Sequence, residues 1–229
     1  MMWLNNEKIS ESAIAAYRAS LLNSCPSYIV IDNLFDNAKL DDVIRVLQQP
    51  QGWNTQKHTY SDLYVDDTQW QNTSSEQRFV QRDCWSGNAS SNYSKVAQDF
   101  LSYLRKDEFM SVLSRIFNVG ITDIHVAEPA INTNYFRLGA SDFIEQHADD
   151  SPGREICMLL YLNKEWHSDA GGELVFTGDN NRPITIAPLF NRCVMFDPSS
   201  KGSEHWVNKL TSENPDQYRY NITSWYWSE

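Results

Sequence analysis

Between residues 131 and 227 the chain is a succession of short apolar runs cut apart by turn-forming residues, and few folds accommodate that pattern. The runs 131–138, 143–147, 156–162, 173–177, 184–187, 193–196, 205–208 and 218–227 read as strands. Gly139, Gly153, Gly171-Gly172, Gly178, Pro198 and Pro215 punctuate them. Many short strands at such spacing suggest an antiparallel barrel or jelly roll. In the last run, strict alternation places Arg219, Asn221, Thr223, Trp225 and Trp227 on one face, and Tyr220, Ile222, Ser224 and Tyr226 on the other.

The first half reads differently. Helical spacing covers 8–22 and 37–47, the latter with Leu40, Val43, Ile44 and Leu47 on one stripe, and a strand at 28–32 lies between them. Two further helices are expected over 93–105 and 108–117, followed by the first clear β segment at 124–127. The stretch 50–92 is polar, with Trp53, Tyr60, Tyr64, Trp70 and Trp85 interspersed and no sustained period. Its aromatic content argues for an ordered surface segment or lid rather than a disordered linker. The expected fold class is mainly β with flanking N-terminal helices that buttress one sheet. The 229 residues suit a single domain, 1–229, with 1–120 as helical support and lid-like segment and 121–229 as the core.

Thirty acidic against 19 basic residues give a net charge of −11, which argues against nucleic acid and anionic membrane surfaces as partners. Cys25, Cys84, Cys157 and Cys193 show no metal-ligand spacing and read as thiols, the last two as small buried residues. The N-terminal residues carry no secretory-signal pattern, and no apolar run is long enough to span a bilayer. A reducing cytoplasm is the expected compartment.

Chemistry concentrates at three places. In a strand, residues i and i+2 share a face, so His147 and Asp149 can reach one ion while Ala148 points away. His205, between a polar Gly-containing turn and Trp206-Val207, can supply a third ligand. Two imidazoles and one carboxylate occupy half an octahedron, the arrangement used by non-haem Fe(II) oxygenases. An accidental His-x-Asp is the alternative. Arg219, facing inward among aromatics, needs an anion, and its planar fork suits a carboxylate. The alternative for Arg219 is a surface residue paired with Asp or Glu on an edge strand.

These residues carry a resemblance. Together with Leu160-Tyr161-Leu162-Asn163-Lys164-Glu165-Trp166, Gly171-Gly172-Glu173-Leu174 and Arg219-Tyr220-Asn221-Ile222-Thr223-Ser224-Trp225-Tyr226, they make residues 130–228 resemble the Fe(II)/2-oxoglutarate-dependent oxygenases, in particular their prolyl hydroxylase branch. The resemblance implies a double-stranded β-helix (jelly roll, cupin-like) core. It also implies Fe(II) on His147, Asp149 and His205, with 2-oxoglutarate and O2 as co-substrates and ascorbate as a reductant. Arg219 and Tyr161 would hold the distal carboxylate of 2-oxoglutarate. Tyr135 and Thr223 would be further pocket contacts, and Trp225 part of the wall. Asp149 favours hydroxylation over halogenation, because halogenating members carry a small residue there. A polar insert at 212–216 departs from the pattern, and 53–85 does not match closely enough to carry over a substrate.

Three functions stay open on sequence: hydroxylation of a prolyl residue in a peptide or protein, hydroxylation of a free amino acid or other small metabolite, and a non-catalytic jelly-roll protein binding metal or sugar. Of the other polar residues, Asp150 is expected to be solvated, His58 and His167 to lie on the surface, and His125 to be a hydrogen-bonded, partly buried strand residue. Trp53, Trp70 and Trp85 are candidates for substrate contact.

Overall fold

The computed structural model describes residues 3–87, 94–124, 126, 132–211, 214 and 216–228. Five α-helices are described: α1 (Glu11–Asn23), α2 (Asn37–Leu47), α3 (Asp67–Asn72), α4 (Lys95–Leu104) and α5 (Asp107–Phe117). Local chemistry explains their ends. Ser10 and Asp36 accept hydrogen bonds from the backbone N–H groups of Ala13 and Lys39, satisfying donors the first turn leaves free. Asp66 and Gln69 form a reciprocal capping box on α3. Asn118, left-handed at φ 58°, ends α5.

Twelve strands form a single sheet: β1 (Tyr28–Asp32), β2 (Trp53–Thr59), β3 (Arg78–Trp85), β4 (Ile121–Thr122), β5 (Thr133–Leu138), β6 (Phe143–His147), β7 (Arg154–Tyr161), β8 (Leu174–Phe176), β9 (Ile184–Ile186), β10 (Arg192–Phe196), β11 (His205–Val207) and β12 (Arg219–Ser228). The order is β1-β10-β7-β12-β5-β3-β6-β11-β8-β9, with β2 on β3 and β4 on β12. The sheet curls on itself. Cys157, Leu159 and Tyr161 of β7 and Val194 and Phe196 of β10 pack in one cluster with Leu174 and Phe176 of β8 and Ile186 of β9, far along the strand order. That face-to-face packing makes the jelly roll expected from the sequence.

The outer face of the same strands is covered by helices. Met158, Leu160, Cys193, Met195, Ile222 and Tyr226 join Leu40, Val43, Phe100, Phe109 and Leu113 in the largest core cluster. Each fully buried apolar side chain there contributes roughly 1.5–3 kcal/mol. Two tyrosines tie sheet to helix: the hydroxyls of Tyr135 and Tyr226 donate to the carbonyls of Ala97 (2.8 Å) and Leu104 (3.0 Å) in α4.

Two expectations need correction. The 50–92 stretch is no irregular lid, for β2 and β3 pair along their whole length and β3 is inserted between β5 and β6. β1, β2 and β3 therefore share the sheet of the C-terminal strands. Their alternation was hidden because the face that turns inward carries Gln56, His58 and Arg82 as well as Val80, so polar residues stand where a core-facing strand would carry apolar ones. Among the described residues the first β segment after α5 is Ile121–Thr122, paired with the end of β12; of the expected 124–127, Ile124 is exposed and 125 and 127 lie outside the described residues. His125 lies outside the described residues, as do 212, 213 and 215 of the polar insert.

Candidate metal and anion site

His147 closes β6 and His205 opens β11, and these antiparallel strands pair the two residues directly, with ring centroids 4.4 Å apart. Asp149 completes the cluster from just beyond the end of β6. The expected i, i+2 convergence is achieved, although strand geometry does not hold the carboxylate. The Arg154 guanidinium donates to the Asp149 carbonyl. The Asp149 carboxylate oxygen Oδ2 accepts from the indole N–H of Trp225 (3.0 Å) and the thiol of Cys157 (3.2 Å), a cross-strand pair on β12 and β7.

One atom from each of the three residues lies within 4.8 Å of the others. His147 Nε2 is 3.7 Å from Asp149 Oδ1, and His205 Nε2 is 3.8 Å from Asp149 Oδ2. Each Nδ1 lies 2.9 Å from the carbonyl of the residue two positions earlier, Glu145 or Ser203. A carbonyl only accepts, so each Nδ1 carries the proton and each Nε2 lone pair turns to the centre. Burial and the neighbouring His147 push His205 down to about 4, which keeps it neutral. Burial opposes ionisation of Asp149, yet the two imidazoles and the Trp225 and Cys157 donors outweigh it and hold the carboxyl well below the usual range. Two imidazole Nε2 atoms and a carboxylate turned to one point suit a divalent metal, so the residues fit Fe(II).

Beyond Asp149 the cavity runs to Arg219, which is 3 % exposed. Its Nε donates to the Gly172 carbonyl (2.7 Å) and Nη1 to Asn221 Oδ1 (2.6 Å), and Asn221 donates in turn to Thr223 Oγ1 (3.0 Å). Gly171 and Gly172 sit at φ 72° and 79°. A Cβ on Gly171 would lie 2.0 Å from the Lys209 carbonyl oxygen, and one on Gly172 would crowd Leu210 and Arg219, which explains the glycine pair. The guanidinium stacks over the Tyr161 ring at 4.8 Å. The Tyr161 hydroxyl is buried without a hydrogen-bond partner, and burial raises its pKa to about 12. Among the described residues no carboxylate pairs with Arg219. A buried cation beside an orphaned hydroxyl is costly unless an anion joins them, so the pair fits a ligand carboxylate.

Of the sequence-derived residues, His147, Asp149, His205, Arg219, Thr223 and Trp225 line this cavity, and Tyr161 lies against Arg219. Tyr135 does not. It is the cross-strand partner of Ile222, on the face of β5 turned to the helices, and its hydroxyl is consumed by Ala97. His58 is also placed differently from expectation: it is 5 % exposed and lines an outer groove that meets the cavity at His147, Asp149 and Trp225. None of the three suggested tryptophans lines that groove. Trp70 and Trp85 are buried and Trp53 packs on the helical core, while Tyr60, Leu63 and Tyr64 form the exposed lip. Asp150 and His167 are exposed, as expected. Sequence reasoning missed Arg82 of β3, which lines both cavity and groove. A lone arginine in a polar stretch carries no signal of its own.

Two consequences are measurable. Trp225→Phe keeps the ring and removes the donor to Asp149, so metal affinity should fall by roughly 10–100-fold. An unchanged affinity in an anaerobic Mn(II) titration would leave Trp225 as wall only. For His58, burial and the nearby Arg82 and His147 push the pKa down to about 4, against 6.5 when unfolded. The unfolded chain therefore takes up the proton first: stability is unaffected above pH 6.5 and declines as pH falls toward 4, by at most about 3 kcal/mol. Urea unfolding at pH 7 and pH 4 checks this, and His58→Gln should lose less than wild type over that range; equal losses would dismiss the assignment.

Comparison with known proteins agrees with this geometry. Residues 132–227 match the family model of the 2OG-Fe(II) oxygenase superfamily. The chain is 29 % identical over 136 residues to the mouse (Mus musculus) prolyl 3-hydroxylase OGFOD1, an alignment covering 56 % of this chain and 23 % of that protein, so the chain spans about a quarter of the relative's length. Among solved structures it is similar to a Trichoplax adhaerens prolyl hydroxylase in complex with a hypoxia-inducible factor oxygen degradation domain peptide (TM-score 0.69, 20 % identity, 97 % of this chain and 92 % of that one). It is also similar to a Pseudomonas putida prolyl-4-hydroxylase (TM-score 0.61, 14 % identity, 94 % and 99 % covered). Residues 132–227 are thus similar to the 2OG-Fe(II) oxygenase superfamily, and the chain has the fold seen in the prolyl hydroxylase structures.

Proposed function

We propose that the protein is an Fe(II)- and 2-oxoglutarate-dependent dioxygenase that hydroxylates an unactivated C–H bond on a prolyl residue of a peptide or protein, with succinate and CO2 as co-products. One observation carries the reading: the His147, Asp149 and His205 cluster shares a cavity with a buried Arg219 that no carboxylate among the described residues neutralises, beside the buried Tyr161 hydroxyl. Iron with 2-oxoglutarate and O2 would supply the oxidising chemistry. The chain's own residues then have defined tasks. His147, Asp149 and His205 would hold the metal. Trp225 and Cys157 orient the Asp149 carboxylate. Arg219 and Tyr161 bind the far carboxylate of the co-substrate, with Gly172, Asn221 and Thr223 holding the guanidinium in place. Leu159, Leu174 and Val207 line the cavity with apolar surface that excludes water from it.

The outer groove supports a peptide over a free amino acid or small metabolite. Its volume is about 540 Å³, and Tyr60, Leu63 and Tyr64, each more than half exposed, offer apolar surface along an open lip. The relatives named above are prolyl hydroxylases, and one is held with a peptide. All four cysteines are free thiols, which supports a reducing, cytoplasmic setting. The test is incubation of iron-loaded protein with 2-oxoglutarate and O2, measuring succinate with and without proline-containing peptides and free proline. Peptide-stimulated succinate with a mass gain of one oxygen on the peptide is the expected result. Stimulation by free proline alone moves the substrate to small molecules, and metal binding with no succinate under any condition favours a non-catalytic binding protein.

A further inference from the structure

Arg82 is a cation of the site that the proposed co-substrate does not explain. It stands on the inward face of β3 and lines both the inner cavity and the outer groove, whereas Arg219 lines only the cavity. Its guanidinium lies 3.5 Å above the Phe136 ring, and its Nε is buried with no hydrogen-bond partner. The adjacent Asp83 faces the other way, bound to Arg137 at 3.0 Å and to the hydroxyl of Thr55 at 2.8 Å, so it does not neutralise Arg82. Among the described residues, no carboxylate forms an ion pair with Arg82.

Of the nearby groups, Gln56 on the paired strand adds a buried, unpartnered acceptor, its Oε1, whereas His58 and Arg154 add donors. His58 Nδ1 accepts from the Tyr64 N–H (3.4 Å), so its proton is on Nε2, which is buried without a partner on the groove side. Arg154, on the opposite wall, also keeps an unpartnered Nε. Of the arginines lining the two joined spaces, Arg219 stands in the cavity, Arg154 in the groove and Arg82 in both, while the acidic residues of those linings are Asp149, a metal ligand in the proposed function, and Asp62 on the lip. In a chain of net charge −11 this is a local reversal of sign. A partly desolvated guanidinium left without an anion is unfavourable, and a carboxylate is what its fork matches.

We infer that Arg82 binds a carboxylate of the primary substrate, making it a specificity-determining residue that selects a negatively charged group next to the carbon to be oxidised. The inference rests on the hydroxylase reading above. The carboxylate belongs either to an acidic residue flanking a prolyl residue or to a free imino acid, and binding measurements separate the two. Because the protein as a whole repels anions, any preference for the acidic form must arise locally.

The test uses full-length protein loaded with Mn(II) and 2-oxoglutarate and titrated calorimetrically with two probe pairs. The first is a blocked pentapeptide with one central proline flanked by Asp or by Asn; the second is L-proline against L-prolinamide. Wild type should bind the carboxylate member of one pair about tenfold or more tightly than its amide. Arg82→Gln should abolish that preference, and Arg82→Lys should restore part of it. The pair that discriminates identifies the source of the carboxylate. Equal or undetectable binding of both members in both pairs overturns the inference. So does a preference that survives Arg82→Gln, or a weakening of 2-oxoglutarate binding in that variant with the preference intact, which would assign Arg82 to the co-substrate. Succinate formation, followed separately under O2, decides the hydroxylase reading itself, so either can fail without the other.

Discussion

Asp149→Ala will leave a folded protein that no longer holds iron at working concentrations and releases no succinate. The carboxylate is the only anionic ligand of the cluster, and it is approached by both Nε2 atoms at 3.7 and 3.8 Å. Loss of an outer partner of a metal ligand costs roughly 10–100-fold, so loss of the ligand itself should exceed about 100-fold in Fe(II) affinity. Anaerobic Fe(II) titration beside a succinate assay measures it. The fold should persist, because Asp149 lies beyond the end of β6 and makes no ladder hydrogen bond within it. Metal affinity within a few-fold of wild type would remove Asp149 from the coordination set.

Arg219→Ala should separate co-substrate binding from metal binding. Truncating one partner of a buried, hydrogen-bonded charge pair costs about 2–5 kcal/mol, equivalent to a rise in the 2-oxoglutarate Kd of roughly 30–5,000-fold. Fe(II) affinity should stay near wild type, since Arg219 contacts Gly172, Asn221 and the Tyr161 ring and none of the three ligands. Arg219→Lys keeps the charge but loses the fork and the Nε donor to Gly172, and an intermediate Kd is expected. Unchanged 2-oxoglutarate affinity in Arg219→Ala would show that the co-substrate's carboxylate is held elsewhere.

Elements whose buried face is apolar could be read directly from the chain. The stripe of α2 emerges at the expected position because water is excluded from one side of that helix, and β12, buried on both faces, is legible because polar cavity-facing residues alternate with residues packed in the helical core. β2 and β3 were illegible for the converse reason. Their inward face borders a polar cavity, so Gln56, His58 and Arg82 replaced the apolar residues that would have marked a strand. Among the site residues, Tyr161 and Tyr135 show the limit most clearly. Both are fully buried strand tyrosines, yet one lies under Arg219 and the other reaches into α4. Sequence supplies the same pattern for each, and only strand register assigns the face.

The residue types at 147, 149, 205 and 219 by themselves determined the chemistry available: two imidazoles, a carboxylate and a guanidinium on strand-like segments. The tertiary structure decided what those groups meet. It set β6 against β11 so that two imidazoles face one point, brought Trp225 and Cys157 onto the Asp149 carboxylate, turned Tyr135 away, and placed Arg82 at the mouth. The physical reason is that side-chain type is a local property, whereas register and curl come from pairing strands distant in sequence, and the burial that fixes them is shared by the whole sheet.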